Sequence, residues 1–207
     1  MKFATAATLL TTALAVAVPD VPVTGDKPPI GSVTIGKISY GGTGCPAGTV
    51  SENLNSDSTA ITLLFDSYIA SAGPNVPITE NRKNCQINVQ LNVPQGWRYS
   101  LATIDYRGFV QVDKGVTAQQ KASYYFQGFT ETASKITNFD YRNNGDYTLR
   151  DTFGLTTLVW SQCNAKANVN INSQIRLTAP AGKKGLITTD SVDAKVTQIY
   201  GIQWKKC

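Results

Sequence analysis

The chain has 207 residues, of which 42% are apolar, 16% are charged and none is histidine. That length supports one sizeable core and not two, and the apolar share excludes wholesale disorder. The formal charge of +5 comes from scattered lysines and arginines. No basic stripe exists to track phosphates, so no nucleic-acid partner is expected. Without histidine there is no Ser-His-Asp or Cys-His nucleophile system and no His-rich metal site.

Residues Met1 to Ala17 read as a secretory signal: Lys2, an alanine-rich apolar run from Phe3 to Val18, and Ala15-Val16-Ala17 at the cleavage position. The run falls short of the roughly 20 residues that span a bilayer, so no transmembrane anchor is expected. The expected product is a soluble extracellular chain with a formal charge of about +4 once Lys2 is removed. Residues 18–31 carry Pro19, Pro22, Pro28 and Pro29 and read as a Pro-rich flexible leader. Residues 32–207 then form a single domain.

Four cysteines, Cys45, Cys85, Cys163 and Cys207, follow the signal. An even number in an exported chain predicts two disulfides. Three pairings are open. Sequential pairing, Cys45 with Cys85 and Cys163 with Cys207, is preferred because each half then staples itself and the terminal cysteine acquires a reason to be ordered. Each closed loop of about 40 residues contributes roughly 3 to 4 kcal/mol on the chain-entropy model. Zinc requires closely spaced cysteine pairs, which are absent, so neither metal nor cofactor is expected.

In chain order, Ser32 to Tyr40 reads as a first strand, and Gly41 to Gly48 as a tight loop around Cys45. This loop lacks the Lys-Ser/Thr ending of a phosphate-binding loop. From Thr59 to Ala70, Ile61, Leu63, Phe65 and Ile69 share one face. The clearest strand begins at Cys85: Cys85, Ile87, Val89, Leu91 and Val93 alternate without error against Gln86, Asn88, Gln90 and Asn92. Pro94-Gln95-Gly96 turns the chain, and Trp97 to Ile104 returns. Asp105-Tyr106-Arg107-Gly108 reads as a second turn, with a further strand at Phe109 to Val112. Ala118 to Ala122 reads as a short helical turn and Ser123 to Gln127 as a strand.

Asn143 to Asp146 is a strong turn signal. The run Asp140 to Asp151 superficially matches a calcium loop, but Arg142 occupies an oxygen-ligand position and the flanks are not helical. Asn168 to Leu177 repeats the pattern of the Cys85 strand, with Val169, Ile171, Ile175 and Leu177 inward and Asn168, Asn170, Asn172, Gln174 and Arg176 outward. The last strand, Val192 to Trp204, presents Val192, Ala194, Val196, Tyr200, Ile202 and Trp204 on one face. Eight to ten short strands with Gly/Pro/Asn turns define an all-β antiparallel β-sandwich.

The remaining chemistry is carboxylate or aromatic. A glycosidase needs two carboxylates facing across a cleft. Asp66, Glu80, Asp105 and Asp113 are conceivable members, but no sequence context singles one out, and no catalytic residue is assigned. Trp97, Trp160 and Trp204, with Tyr99, Tyr106, Tyr124, Tyr125 and Tyr141, are numerous enough for a sugar-stacking platform. Trp97 and Trp204 share faces with apolar neighbours and are expected in the core. Tyr106 and Tyr125, beside turns or polar neighbours, are the expected ligand platform. The outward Asn/Gln rows are the wet face of an antiparallel sheet.

The chain resembles the small secreted proteins grouped as the domain of unknown function family 4360, found largely in filamentous fungi. The features that carry the resemblance are Gly42-Thr-Gly-Cys-Pro46, Phe65-Asp-Ser-Tyr68, Asn84-Cys85, Pro94-Gln-Gly-Trp97, Trp160-Ser-Gln-Cys163 and Asn170-Ile-Asn172. It covers Gly31 to Cys207 and implies an exported, β-rich, four-cysteine domain; it brings no catalytic residues. The leading expectation is a secreted non-catalytic binding protein whose partner is an extracellular polysaccharide, a cell-wall component or a host surface. The alternatives are a histidine-free carboxylate hydrolase of polysaccharide and a secreted effector, elicitor or toxin.

Overall fold

A computed structural model describes residues 26–154, 157–163, 166–189 and 196–207. The expected signal segment, residues 1–17, lies outside them. The strands in chain order are β1 (Thr34–Gly41), β2 (Val50–Leu54), β3 (Ala60–Phe65), β4 (Ile69–Ala72), β5 (Arg82–Asn92) and β6 (Trp97–Val112). They continue with β7 (Thr117–Phe126), β8 (Ala133–Phe139), β9 (Gly145–Thr152), β10 (Ala167–Thr178), β11 (Gly185–Thr188) and β12 (Val196–Lys206). The helical turns among the described residues are 3-10, as at Ile78–Asn81 and Tyr141–Asn143.

These strands make the all-β antiparallel sandwich expected from the turn spacing. One sheet has five strands in the order β1-β5-β10-β7-β8, and the other seven, β2-β3-β12-β6-β11-β4 with β9 also on β6. In the larger sheet β11 and β12 lie end to end along one edge of β6, through Thr188↔Phe109 and Gln198↔Tyr106. The two strands with the clearest alternation are neighbours: Val89 faces Val169, Ile87 faces Ile171 and Asn88 faces Asn170. Their inner residues Ile87, Val89, Leu91, Val169 and Ile171 meet Ile61, Leu63, Phe65, Leu101 and Ile202 of the opposite sheet in the core cluster, all at 1% exposure or less. Each such side chain contributes about 1.5–3 kcal/mol of burial.

Both disulfides form in sequential order, Cys45–Cys85 and Cys163–Cys207, with Cα separations of 5.4 and 5.9 Å. Cys45 and Cys85 are buried, and around them Gly44 N donates to Asn84 O at 2.9 Å. Gly44 is required there by packing: a Cβ would run into the ring of Tyr68. At the end of the expected leader, Pro28 is buried, Lys27 pairs with Asp57 at 3.2 Å and Asp26 pairs with Lys206 at 2.7 Å.

Three local expectations are corrected. No turn interrupts Asp105 to Gly108; β6 runs unbroken for 16 residues. Ile104, Tyr106, Gly108, Val110 and Val112 continue the inward alternation straight through it. Gly108 provides space rather than a bend, because a Cβ there would collide with the Thr188 carbonyl and the Tyr147 hydroxyl. Likewise, Ala118 to Ala122 is part of β7 and not a helical turn. Finally, Ile69 does not share the Phe65 face: Asp66-Ser67-Tyr68 breaks the strand, Tyr68 and Ala70 turn inward, and Ile69 is left 41% exposed.

Candidate functional site

The outer face of the five-stranded sheet is an amide surface. Across its strands Asn88 Nδ2 donates to Asn170 Oδ1 at 2.9 Å and Gln90 Nε2 to Asn168 Oδ1 at 3.0 Å. Asn168 Nδ2 in turn donates to Gln127 Oε1 at 2.6 Å, and Gln119 Nε2 donates to Asn138 Oδ1 at 3.0 Å. Such cross-strand pairs contribute a few tenths of a kcal/mol each. Each such bond occupies one donor and one acceptor of this face. Tyr125, opposite Asn170, is half-buried on this face.

Tyr106 is not part of any exposed platform. It is 1% exposed, pointing between the sheets from the middle of β6. The unbroken alternation of β6, invisible while Asp105 to Gly108 read as a turn, forces it inward. There it joins Tyr68, Tyr147 and Tyr200, whose hydroxyls burial pushes above the usual phenol range. Tyr200 donates to Gln198 Oε1 at 2.6 Å, Gln198 donates to Ser173 at 3.0 Å, and Tyr147 lies 2.8 Å from the Thr188 carbonyl. Among the described residues the Tyr106 hydroxyl has no hydrogen-bond partner. Of the three tryptophans, Trp204 is core at 5% exposure, whereas Trp97 and Trp160 are half-buried. Trp97 therefore packs against the core from its margin instead of lying inside it.

The conceivable carboxylate pair is dispersed. Asp105 is held by Arg150 Nε and Nη2 at 2.6 and 2.8 Å, Glu80 pairs with Lys83 at 2.8 Å, and Asp113 accepts from Lys184 N at 2.8 Å. Asp66 is exposed on the break between β3 and β4.

A concave feature lies elsewhere, in a cleft of about 920 Å³ beside β8. One wall is Phe129, Glu131 and Ala133 to Lys135; the other is Phe153 and Thr157 to Cys163, with Arg98. The second wall is irregular chain laid along the edge of β6 beyond β9. Phe153 N donates to Ala102 O at 2.9 Å, Ser100 Oγ to Val159 O at 2.7 Å, and Ser161 N to Tyr99 O at 2.9 Å. The exposed Cys163–Cys207 bond ties its end to β12. Apolar surface from Phe129, Leu158 and Trp160 thus lies next to hydrogen-bonding groups of Arg98, Glu131, Ser134, Lys135 and Gln162. Behind it Asp151 faces inward, half-buried; desolvation raises its pKa, and Lys135 opposes that rise.

Of these lining residues, sequence reasoning had reached only Trp160 as a ligand contact. Arg98, Glu131 and Lys135 carry no local signal, because they come from separate elements that only the closed sandwich brings together.

Fold and cleft define the protein as a disulfide-stapled, two-sheet β-sandwich with a ligand-sized surface groove. The chain belongs to the family described as "Domain of unknown function (DUF4360)", which matches residues 31–207. A relative from Arthroderma benhamiae, described as an "Uncharacterized secreted protein", is 46% identical over 184 residues, 88% of this chain and 75% of that protein. Among solved structures, TmCBM61 in complex with beta-1,4-galactotriose aligns over 83% of this chain and 90% of its own, at 10% identity and a TM-score of 0.27. That likeness is too loose to transfer any residue or ligand. Among the described residues, no helix is long and apolar enough to cross a membrane.

Proposed function

We propose that this protein is an extracellular, non-catalytic carbohydrate-binding protein, and that its ligand occupies the cleft between β8 and the wall formed by Phe153 and residues 157–163. The observation that carries the reading is the composition of that cleft. Its volume falls in the range of small-ligand sites, and it sets aromatic surface beside convergent polar groups. Sugar rings present apolar C–H faces and hydroxyl edges, and such a wall answers both. The four-cysteine framework and the secreted relative support action outside the cell, at a cell wall or a host surface.

A polysaccharide hydrolase is favoured less, since Glu131 is the one carboxylate among the described residues lining the cleft, and two are needed. Binding is tested by titrating soluble cell-wall oligosaccharides into the purified chain by calorimetry. Trp160→Ala is expected to weaken binding at least tenfold, whereas Tyr125→Ala, on the amide face, leaves it unchanged. Equal loss in both variants, or release of reducing sugar that Glu131→Gln abolishes, would defeat the reading.

A further inference from the structure

Arg98 on β6 and Lys205 on β12 stand directly opposite each other in the strand register. Like charges at directly opposed positions destabilise a sheet. The usual remedy, a carboxylate between them, is missing among the described residues: neither cation has an ion-pair partner, and Arg98 Nε is buried without an acceptor. Both cations lie over one ring. The Arg98 guanidinium carbon is 5.4 Å, and the Lys205 ammonium 5.9 Å, from the centre of Trp160. An aromatic face holds a cation in place but does not neutralise it. Arg98 and Trp160 also line the cleft.

The opposing charges nearby do not cancel this pair. Glu131 belongs to the β7–β8 side of the cleft, and Asp151 interacts with Lys135, the third cation there. Lys206, the next residue along β12, is occupied by Asp26. Among the described residues Arg98 and Lys205 therefore keep no ion-pair partner at the Trp160 end of the groove, which Arg98 lines and Lys205 approaches through the Trp160 ring.

We infer that the ligand of this cleft is an acidic glycan, with the carboxylate of a uronic acid residue bridging Arg98 and Lys205 beside Trp160. This rests on the carbohydrate reading of the same cleft. A planar guanidinium offers a carboxylate two parallel hydrogen bonds, and the ammonium supplies a second charge from the adjacent strand. A bound carboxylate would also remove the cross-strand repulsion.

The test compares polygalacturonate with the same polymer as its methyl ester, which keeps the rings and removes the charge. Titrations use the full chain at low and high salt, and a sulfated neutral-backbone glycan forms a third arm. The acid form should bind at least tenfold tighter than the ester, and the advantage should shrink as salt rises. Arg98→Gln and, independently, Lys205→Gln should bring acid binding down to the ester level. Arg98→Lys should retain part of it. Both Gln variants should melt at or slightly above the wild-type temperature, because each relieves a like-charge contact.

If the acid and its ester bind equally and the Gln variants change nothing, the acidic-ligand inference is wrong while the carbohydrate reading survives. Preference for the sulfated glycan over the uronate would likewise overturn the carboxylate assignment. Failure of every glycan to bind would remove both readings together.

Discussion

The two disulfides hold opposite kinds of structure. At Cys45–Cys85 the sulfurs are buried, the chain on either side is regular or tightly turned, and the surrounding groups are satisfied: Asn84 N donates to Thr43 Oγ1 at 3.2 Å and Gly44 N to Asn84 O at 2.9 Å. At Cys163–Cys207 the cysteines are exposed, the preceding wall is irregular, and two neighbouring cations have no carboxylate partner among the described residues. The first end is closed by packing around its buried bond. The second is open, and the covalent tie restrains a segment that packing leaves underdetermined. Stability is concentrated at one end of the sandwich and a place for a ligand at the other.

Breaking each tie separates the two roles. Cys85→Ser removes the covalent link and leaves a buried cysteine and hydroxyl in an apolar site, so unfolding free energy should fall by about 2–5 kcal/mol and secreted yield should drop sharply. Cys163→Ser with Cys207→Ser should cost less in chemical denaturation, yet weaken glycan binding more than any change at the first end that still folds. If the surface pair proves as destabilising as the buried one, or if binding survives its loss, the contrast between the ends fails.

Smaller changes sharpen it further. Tyr106 lies between the sheets with an unpartnered hydroxyl, so Tyr106→Phe should leave stability unchanged or raise it by up to about 1 kcal/mol. A clear loss in the denaturation midpoint would mean that the hydroxyl is satisfied in solution. The smallest effect is expected at Asp151, on the open side. Its folded pKa is raised, so the folded state holds the proton to higher pH than the unfolded chain does. This carboxyl therefore lowers stability as pH rises from the ordinary carboxylate range through its raised value. Asp151→Asn should flatten the melting temperature against pH over that interval; an unchanged profile would contradict the assigned burial.

Much of the sandwich was legible because strand alternation is a local record of burial. The alternating runs at Cys85 and Asn168 state which residues point inward, and the structure sets those runs side by side. Misreadings arose where local turn chemistry competed with that record. Asp105 to Gly108 has turn-forming residues, yet Tyr106 and Gly108 are positioned by what they meet on neighbouring strands: buried phenols in one case, and the Thr188 carbonyl and Tyr147 hydroxyl in the other. The same error removed Tyr106 from the interior and offered it as a surface platform. Ile69 was misplaced for the converse reason, since a three-residue break resets the period and nothing inside the run announces it.

By itself the sequence determined the all-β class, the inward and outward faces of the long strands, the amide character of one surface and the number of disulfides, because each follows from spacing or from the chemistry of single residue types. Tertiary structure alone decided the cleft. Arg98, the 129–135 stretch, and Phe153 with residues 157–163 come from separate parts of the chain, and Lys205 reaches the Trp160 ring from a fourth. Only the closure of one sheet over the other, with β12 registered against β6, brings Arg98 and Lys205 together over the Trp160 ring at the end of the groove.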